Sequence, residues 1–385
     1  MERIYSLILI NLKKVVELFV VISIVTSPLH AIPTLKNTPY PFVDTQNMYN
    51  ALYSFPEQII DAMAFSKKIR LKYPQTPIKN IVFAGMGASA VIGDIATLVC
   101  KDYAQIPMVI NRNYMLPGWV DQDSLVILIS YSGDTEETIA CLDDAVKRNA
   151  HIIGITSGGT LQQKLEEQDL PAIIIPEGMH SSRALAYLLC PLLHVLDFFD
   201  QANPYFELQL RDLTFGLKYY REKLSSDDVR KNFALAFAHE VINKIPCICA
   251  EANTTEHIAH RFRDQLAENS KLFSTVHLFP EINHNHIVSF QNPTDKTPDF
   301  GIIWILDGNI HGRNSQQMTA ARALVNNKVA YQKTIRCSGQ SYLERSLLSI
   351  YICDWICYWS AILQKIDPMA NTNINLVKHF MKQQT

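Results

Sequence analysis

Two series of short, uninterrupted apolar runs constrain this chain more than any other feature. The first lies at 81–84, 108–110, 125–129, 152–155 and 172–175, and the second at 245–250, 276–279, 302–306 and 328–335. Runs without polar alternation suit strands buried on both faces, as in a parallel sheet covered by helices. Helical patterns separate them, at 89–101, 134–149 and 160–168 in the first series and at 255–267, 316–325 and 342–364 in the second. A leading helix, with Pro56 near its start and Ile59, Ile60, Met63 and Ala64 at helical spacing, precedes the first run. This β-α-β-α order with right-handed crossovers predicts an α/β chain of two doubly wound parallel-sheet, α-β-α subdomains.

The length of 385 residues suits roughly two domains of 150 to 200 residues. We expect a first domain at 44–201, a charge-rich linker without strand signals at 202–227, and a second domain at 228–385. Residues 1–43 stand apart. Lys13 and Lys14 precede an apolar stretch at 15–25 that is interrupted by Glu17 and followed by Pro28. It resembles the apolar part of a signal peptide and is shorter than the ~20 apolar residues a bilayer span needs. Membrane contact is expected only if this segment is retained as an anchor.

With 35 Lys and Arg against 37 Asp and Glu, the chain has no basic surplus for neutralising a nucleic-acid backbone, and no nucleic-acid partner is expected. The eight cysteines lie in apolar runs without the paired spacing of a zinc site. They read as buried thiols of a reducing compartment, so the expected location is cytoplasmic, with the N-terminal segment the one feature foreign to it.

In an open parallel sheet, ligands bind beyond the carboxyl ends of strands. The run at 81–84 leads into Gly85-Met86-Gly87-Ala88-Ser89, a glycine turn opening a helix, with Gly87 and Ser89 placed to approach an anion. The run at 125–129 leads into Ser130-Tyr131-Ser132-Gly133-Asp134-Thr135-Glu136-Glu137, where hydroxyls surround a glycine. At about 100° per residue, Ser132 lies near Thr135 while Glu136 and Glu137 turn away. Ser130, Ser132 and Thr135 are therefore candidates to hold a phosphate at a helix N-terminus. An ordinary capped helix start with an acidic first turn is the alternative.

These motifs, together with Thr156-Ser157-Gly158-Gly159, resemble the sugar isomerase (SIS) domain, a flavodoxin-like unit whose Ser/Thr loop cradles the phosphate of a phosphosugar. From about residue 50 to the C-terminus the chain is similar to the bifunctional phosphoglucose/phosphomannose isomerase family. That likeness rests on Pro176-Glu177-Gly178 with Arg183, on Glu268-Asn269-Ser270-Lys271, on Pro280-Glu281-Ile282-Asn283-His284-Asn285, and on Lys378 after Asp367-Pro368. It implies two SIS-type units, a phosphosugar substrate, and a homodimer with shared active sites in which His284 crosses the interface. Two departures stand out. Ala88 occupies a position where the family has a second glycine, and a left-handed backbone there would cost about 1 kcal/mol. Ser182 stands where the family has proline before the arginine, implying a looser loop.

Interconverting an aldose phosphate and a ketose phosphate needs ring opening, removal of a proton beside a carbonyl, and its return one carbon away. One base and one acid suffice, without a metal or redox cofactor. The resemblance assigns the proton shuttle to Glu268, ring opening to His284 with Lys378 assisting, and enediolate stabilisation to Arg183. Each residue has a plainer reading. A lone Glu268 is ordinarily an exposed helix carboxylate. Lys378 can simply complement a helix terminus, and Lys271 reads as a surface residue. His257, His260, His284 and His286 lack the spacing of a zinc set. Tyr351, Trp355, Tyr358 and Trp359 share a helical period and read as core or dimer interface. Two further functions compete: a non-catalytic phosphosugar sensor keeping only the Ser/Thr loop, and another SIS-type amino-sugar phosphate isomerase or lyase.

Overall fold

The computed structural model describes residues 37–383 apart from 73 and 75, so the apolar stretch at 15–25 lies outside the described residues. Two short helices, α1 (Met48–Tyr53) and α2 (Phe55–Ser66), lead into the first sheet. Its strands are β1 (Asn80–Ala84), β2 (Met108–Asn111), β3 (Ser124–Ser130), β4 (His151–Thr156) and β5 (Ala172–Ile174). Helices α3 (Gly87–Cys100), α4 (Glu136–Lys147) and α5 (Gly159–Glu167) connect them. All neighbours pair parallel in the order β2-β1-β3-β4-β5. The order reverses between β1 and β3, which places a crevice beyond their carboxyl ends. Seven consecutive buried residues in β3 explain why its sequence shows no alternation.

After β5, a 3-10 turn (Ser181–Arg183) opens α6 (Leu185–Phe198). The stretch read as a linker contains a 19-residue helix, α7 (Phe206–Leu224), which buries Leu210, Leu213, Leu217 and Leu224. Its charged residues mask an apolar stripe, so the connection is part of the core and not a free tether. The short α8 (Phe233–Val241) follows, capped by Asn232, whose side chain accepts from the Ala234 and Leu235 amides.

The second sheet contains β6 (Ile245–Glu251), β7 (Thr275–Phe279), β8 (Phe300–Asp307) and β9 (Tyr331–Cys337), again all parallel, in the order β7-β6-β8-β9. Its helices are α9 (Glu256–Ser270), α10 (Gly312–Val325) and α11 (Tyr342–Leu363), and α12 (Thr372–Lys382) ends the described chain. The molecule is therefore an α/β protein with two parallel sheets.

The aromatic residues of α11 are core. Tyr351, Trp355, Tyr358 and Trp359 are each at most 1 % exposed, and Tyr49, Phe55 and Tyr40 from the first half pack against them. One apolar cluster runs from Met48 to Met369, while two smaller ones back the outer faces of the sheets. Part of the segment set aside as an extension joins this core, since Thr38 Oγ1 lies 3.1 Å from the Tyr358 hydroxyl.

Candidate functional site

The register pairs Ala84 with Leu128 and Ser130 with Thr156, so the turns after β1, β3 and β4 lie side by side. In the central turn, Ser130 Oγ donates to Thr135 Oγ1 at 3.0 Å and accepts from the Gly133 amide at 3.1 Å. Ser130 thus braces the turn from inside, whereas Ser132 is exposed. Thr135 begins α4 without a side-chain cap, so first-turn amides remain available to an anion. Gly133 (φ 73°) and Gly159 (φ 70°) press this turn against its neighbour, with the Leu161 amide donating to the Gly133 carbonyl at 2.9 Å. Asp134 Oδ1 accepts from the Thr160 amide and hydroxyl, locking the second turn.

Beside it, Gly87 (φ 50°) opens α3, also without a side-chain cap, and Ser89 is buried. The left-handed backbone falls on Gly87 and not on Ala88, so the substitution at 88 carries no such strain. A cleft of about 600 Å³ runs from Gly87 between α3 and α9, lined in part by Asp94, Arg112, Glu256, His260 and Asp264.

The Glu-Asn-Ser-Lys run is the C-terminal cap of α9. Lys271 adopts a left-handed backbone (φ 55°) that ends the helix, and its ammonium donates to the carbonyls of Glu268 and Asp367. Asn269 donates to the Pro368 carbonyl and Ser270 to the Cys357 carbonyl, at 2.9 and 2.8 Å. These bonds hold Glu268 at the seam between α9, the 3-10 turn and the start of α12, its side chain 20 % exposed.

The first residue facing Glu268 is one the sequence reading passed over. His180 Nε2 lies 3.8 Å from Glu268 Oε1, and Asn371 Nδ2 reaches both, at 2.7 Å from the imidazole and 3.2 Å from the carboxylate. Burial pushes the His180 imidazole below the usual histidine range; Glu268 opposes this, while Arg183, Lys271 and Lys378 add to it. Lys378, exposed on α12, thus belongs to the electrostatic surroundings of this cluster.

Arg183 lies deeper. It bonds Asp354, Asn269, Gln265 and Ser182, with Asp354 Oδ2 at 3.3 Å and Asn269 Oδ1 at 2.8 Å. Arg261 shares the same Asp354 oxygen at 2.8 Å and donates to the Ser182 carbonyl. These bonds turn the guanidinium of Arg183 inward, where it orients Asn269 next to Glu268. Ser182 is buried and bonded to His180 and Arg183, so the loop is not loose. Tyr131 links the two centres, its hydroxyl accepting from the Met179 amide at 2.8 Å and donating to the Pro176 carbonyl at 3.2 Å.

His284 sits elsewhere, exposed at the end of a 3-10 turn (Glu281–His284) just beyond edge strand β7. Among the described residues no hydrogen bond or ion pair joins it to Glu268.

Two all-parallel units, with a hydroxyl-lined turn at the first switch point and a carboxylate cluster at the seam, define a two-unit SIS protein. The SIS domain family matches residues 76–199, and the bacterial phospho-glucose isomerase C-terminal SIS domain matches 230–381. The chain is 33 % identical to a bifunctional phosphoglucose/phosphomannose isomerase of Caldicellulosiruptor bescii over 335 residues, covering 86 % of this chain and 98 % of that one. It is 30 % identical to a protein of the same name from Aquifex aeolicus over 310 residues, 80 % and 92 % of the two chains. A tagatose-6-phosphate ketose/aldose isomerase structure from Escherichia coli shares the fold, with a TM-score of 0.62 at 13 % identity over 85 % of this chain and 95 % of that one. The chain belongs to the bifunctional phosphoglucose/phosphomannose isomerase family, whose members are enzymes of the isomerase class.

Proposed function

We propose that this protein interconverts glucose 6-phosphate and mannose 6-phosphate with fructose 6-phosphate by proton transfer through an enediolate. The observation that carries this reading is the partly exposed Glu268 carboxylate, fixed at one oxygen by Asn371, 3.8 Å from His180 Nε2, and within electrostatic reach of Arg183 and Lys271. In the proposed mechanism the phosphate lies on the turns holding Gly87, Ser89, Ser130, Ser132 and Thr135, which sets the distance to the reacting carbons. Glu268 takes the proton from C2 and returns it to C1, while the surrounding cations oppose the charge that develops on the enediolate. Neither step calls on a metal or a redox cofactor.

Ring opening in this reading uses His284 of the partner subunit in a homodimer, with Lys378 assisting. The exposure of His284 and its separation from Glu268 in the same chain support that division. We infer a cytoplasmic location, supported by eight free, buried thiols. Membrane contact would require retention of the N-terminal segment.

The test is a coupled assay with each hexose 6-phosphate in the presence of a chelator. Glu268→Gln should lower kcat by about 10³-fold while phosphosugar binding persists, and a near-normal kcat would remove Glu268 from the mechanism. Mixing inactive Glu268→Gln and His284→Ala subunits should restore a fraction of the activity if sites are shared, and none if each is built from one chain.

A further inference from the structure

We propose that His180 is a positioning residue for Glu268, a proton-sharing neighbour that fixes which carboxylate oxygen is held back from the substrate and sets the acid limit of the reaction. The inference rests on the isomerase reading above and on the geometry around His180.

The Asn371 amide contacts both His180 Nε2 and Glu268 Oε1, at 2.7 and 3.2 Å. Nε2 thus faces the Asn371 amide, while Nδ1 accepts from the Ser182 amide at 3.4 Å. Nδ1 points at Ser182 Oγ, 2.9 Å away, and that oxygen also receives Arg183 Nε at 3.2 Å. The ring is therefore held from both edges. The hydroxyl that buttresses it belongs to Ser182, the residue standing where the family resemblance leads one to expect proline, which has none. Oε1 of Glu268 is occupied by Asn371, so Oε2 is left to meet the reacting carbon.

Charged groups face the ring from every neighbouring element. Glu268 and Lys271 come from the end of α9, Arg183 from the 3-10 turn and Lys378 from α12. Asp367 acts on Lys271, and Asp354 on Arg183. Three cations against one carboxylate, together with burial, favour the neutral ring. A neutral imidazole adds no counter-charge of its own to Glu268. When the solution turns acid, protonation of the ring makes an imidazolium whose Nε2 lies 3.8 Å from the carboxylate, an ion pair that withdraws the base. This proton-dependent ion pair is one that a residue at 180 without a titrating ring cannot form.

The decisive variant is His180→Gln in the full chain, which keeps an amide able to donate and accept but does not titrate. The acid limb of kcat/KM should move to lower pH by about half a unit or more, with kcat at neutral pH reduced by less than about 10-fold. An acid limb unchanged from wild type would overturn the assignment. A second measurement needs no turnover: His180 is titrated by NMR in the wild-type chain and in Glu268→Gln. Loss of the carboxylate charge should lower the His180 pKa, and an unchanged titration would refute the coupling even if His180→Gln fails to fold. If wild-type protein turns over neither hexose phosphate, the isomerase reading falls, whereas this titration still decides whether the pair exists.

Discussion

Gly133 and Gly158 meet backbone to backbone: a methyl group on Gly133 would stand 1.8 Å from the Gly158 carbonyl oxygen. With φ at 73° as well, Gly133 is barred from any side chain on two counts. Gly133→Ala should therefore spread the two turns, destabilise the protein by about 2 kcal/mol or more and raise KM sharply. Gly87 offers the contrast, since its φ is 50° but nothing lies within 4 Å of an added methyl. Gly87→Ala should cost only about 1 kcal/mol. Urea denaturation of both variants checks the order, and equal losses would contradict it.

The serines of the hydroxyl turn should separate kinetically. Ser132 is exposed, so Ser132→Ala should raise KM about 10-fold, the worth of one hydrogen bond to a charged group, and leave kcat nearly intact. Ser130 instead holds Thr135 and the Gly133 amide. Ser130→Ala should lower stability and perturb both kinetic constants. Steady-state kinetics alongside melting curves distinguish the two patterns.

Asp354 is the only carboxylate that either Arg183 or Arg261 contacts among the described residues. Asp354→Ala leaves two buried guanidinium groups facing each other without a counter-charge, which should cost about 3–5 kcal/mol. Chemical denaturation gives the value, and a loss under 1 kcal/mol would mean that the guanidiniums find water.

His257 gives the molecule an acid weakness. Its ring is fully buried, neither nitrogen has a hydrogen-bond partner among the described residues, and burial pushes it down to about 3. The unfolded chain binds a proton at this site below about pH 6.5 while the folded chain does not, so stability falls as pH drops from there towards 3. The slope reaches about 1.4 kcal/mol per pH unit. His257→Leu should lessen the fall between pH 7 and pH 5, leaving the comparable contribution of His277, itself pushed down to about 4, and those of His180, His194, His260 and His286, which burial also holds below the usual histidine range. Denaturation midpoints at the two pH values measure it.

The strands were legible because burial on both faces leaves unbroken apolar runs, and β1, β3 and β4 begin and end within two residues of those runs. Helix α7 was hidden because its buried leucines sit among charges that suggest a linker. Helix α10 starts earlier than its apolar pattern, at a cap supplied by the His311 side chain, a residue seldom read as a helix start. The motif residues were legible by position, but their surroundings were not. Arg183 meets Asp354 across 171 residues and Asn371 meets Glu268 across 103, and no local spacing encodes such pairs. His180 carried one signal, its place two residues before the unexpected Ser182.

Helix α11 follows the last strand of the second sheet, yet part of what covers it comes from the first half of the chain and from α7. Tyr49 meets Trp355 edge-on at 5.4 Å, Phe55 stacks on Tyr351 at 5.7 Å, and Trp359 donates to the Leu224 carbonyl at 2.8 Å. Neither sheet can keep its inner face dry once the other has come apart. Two units that look separable on paper should therefore melt in one calorimetric transition, and severing the chain between α7 and α8 should yield fragments that fold only in each other's company.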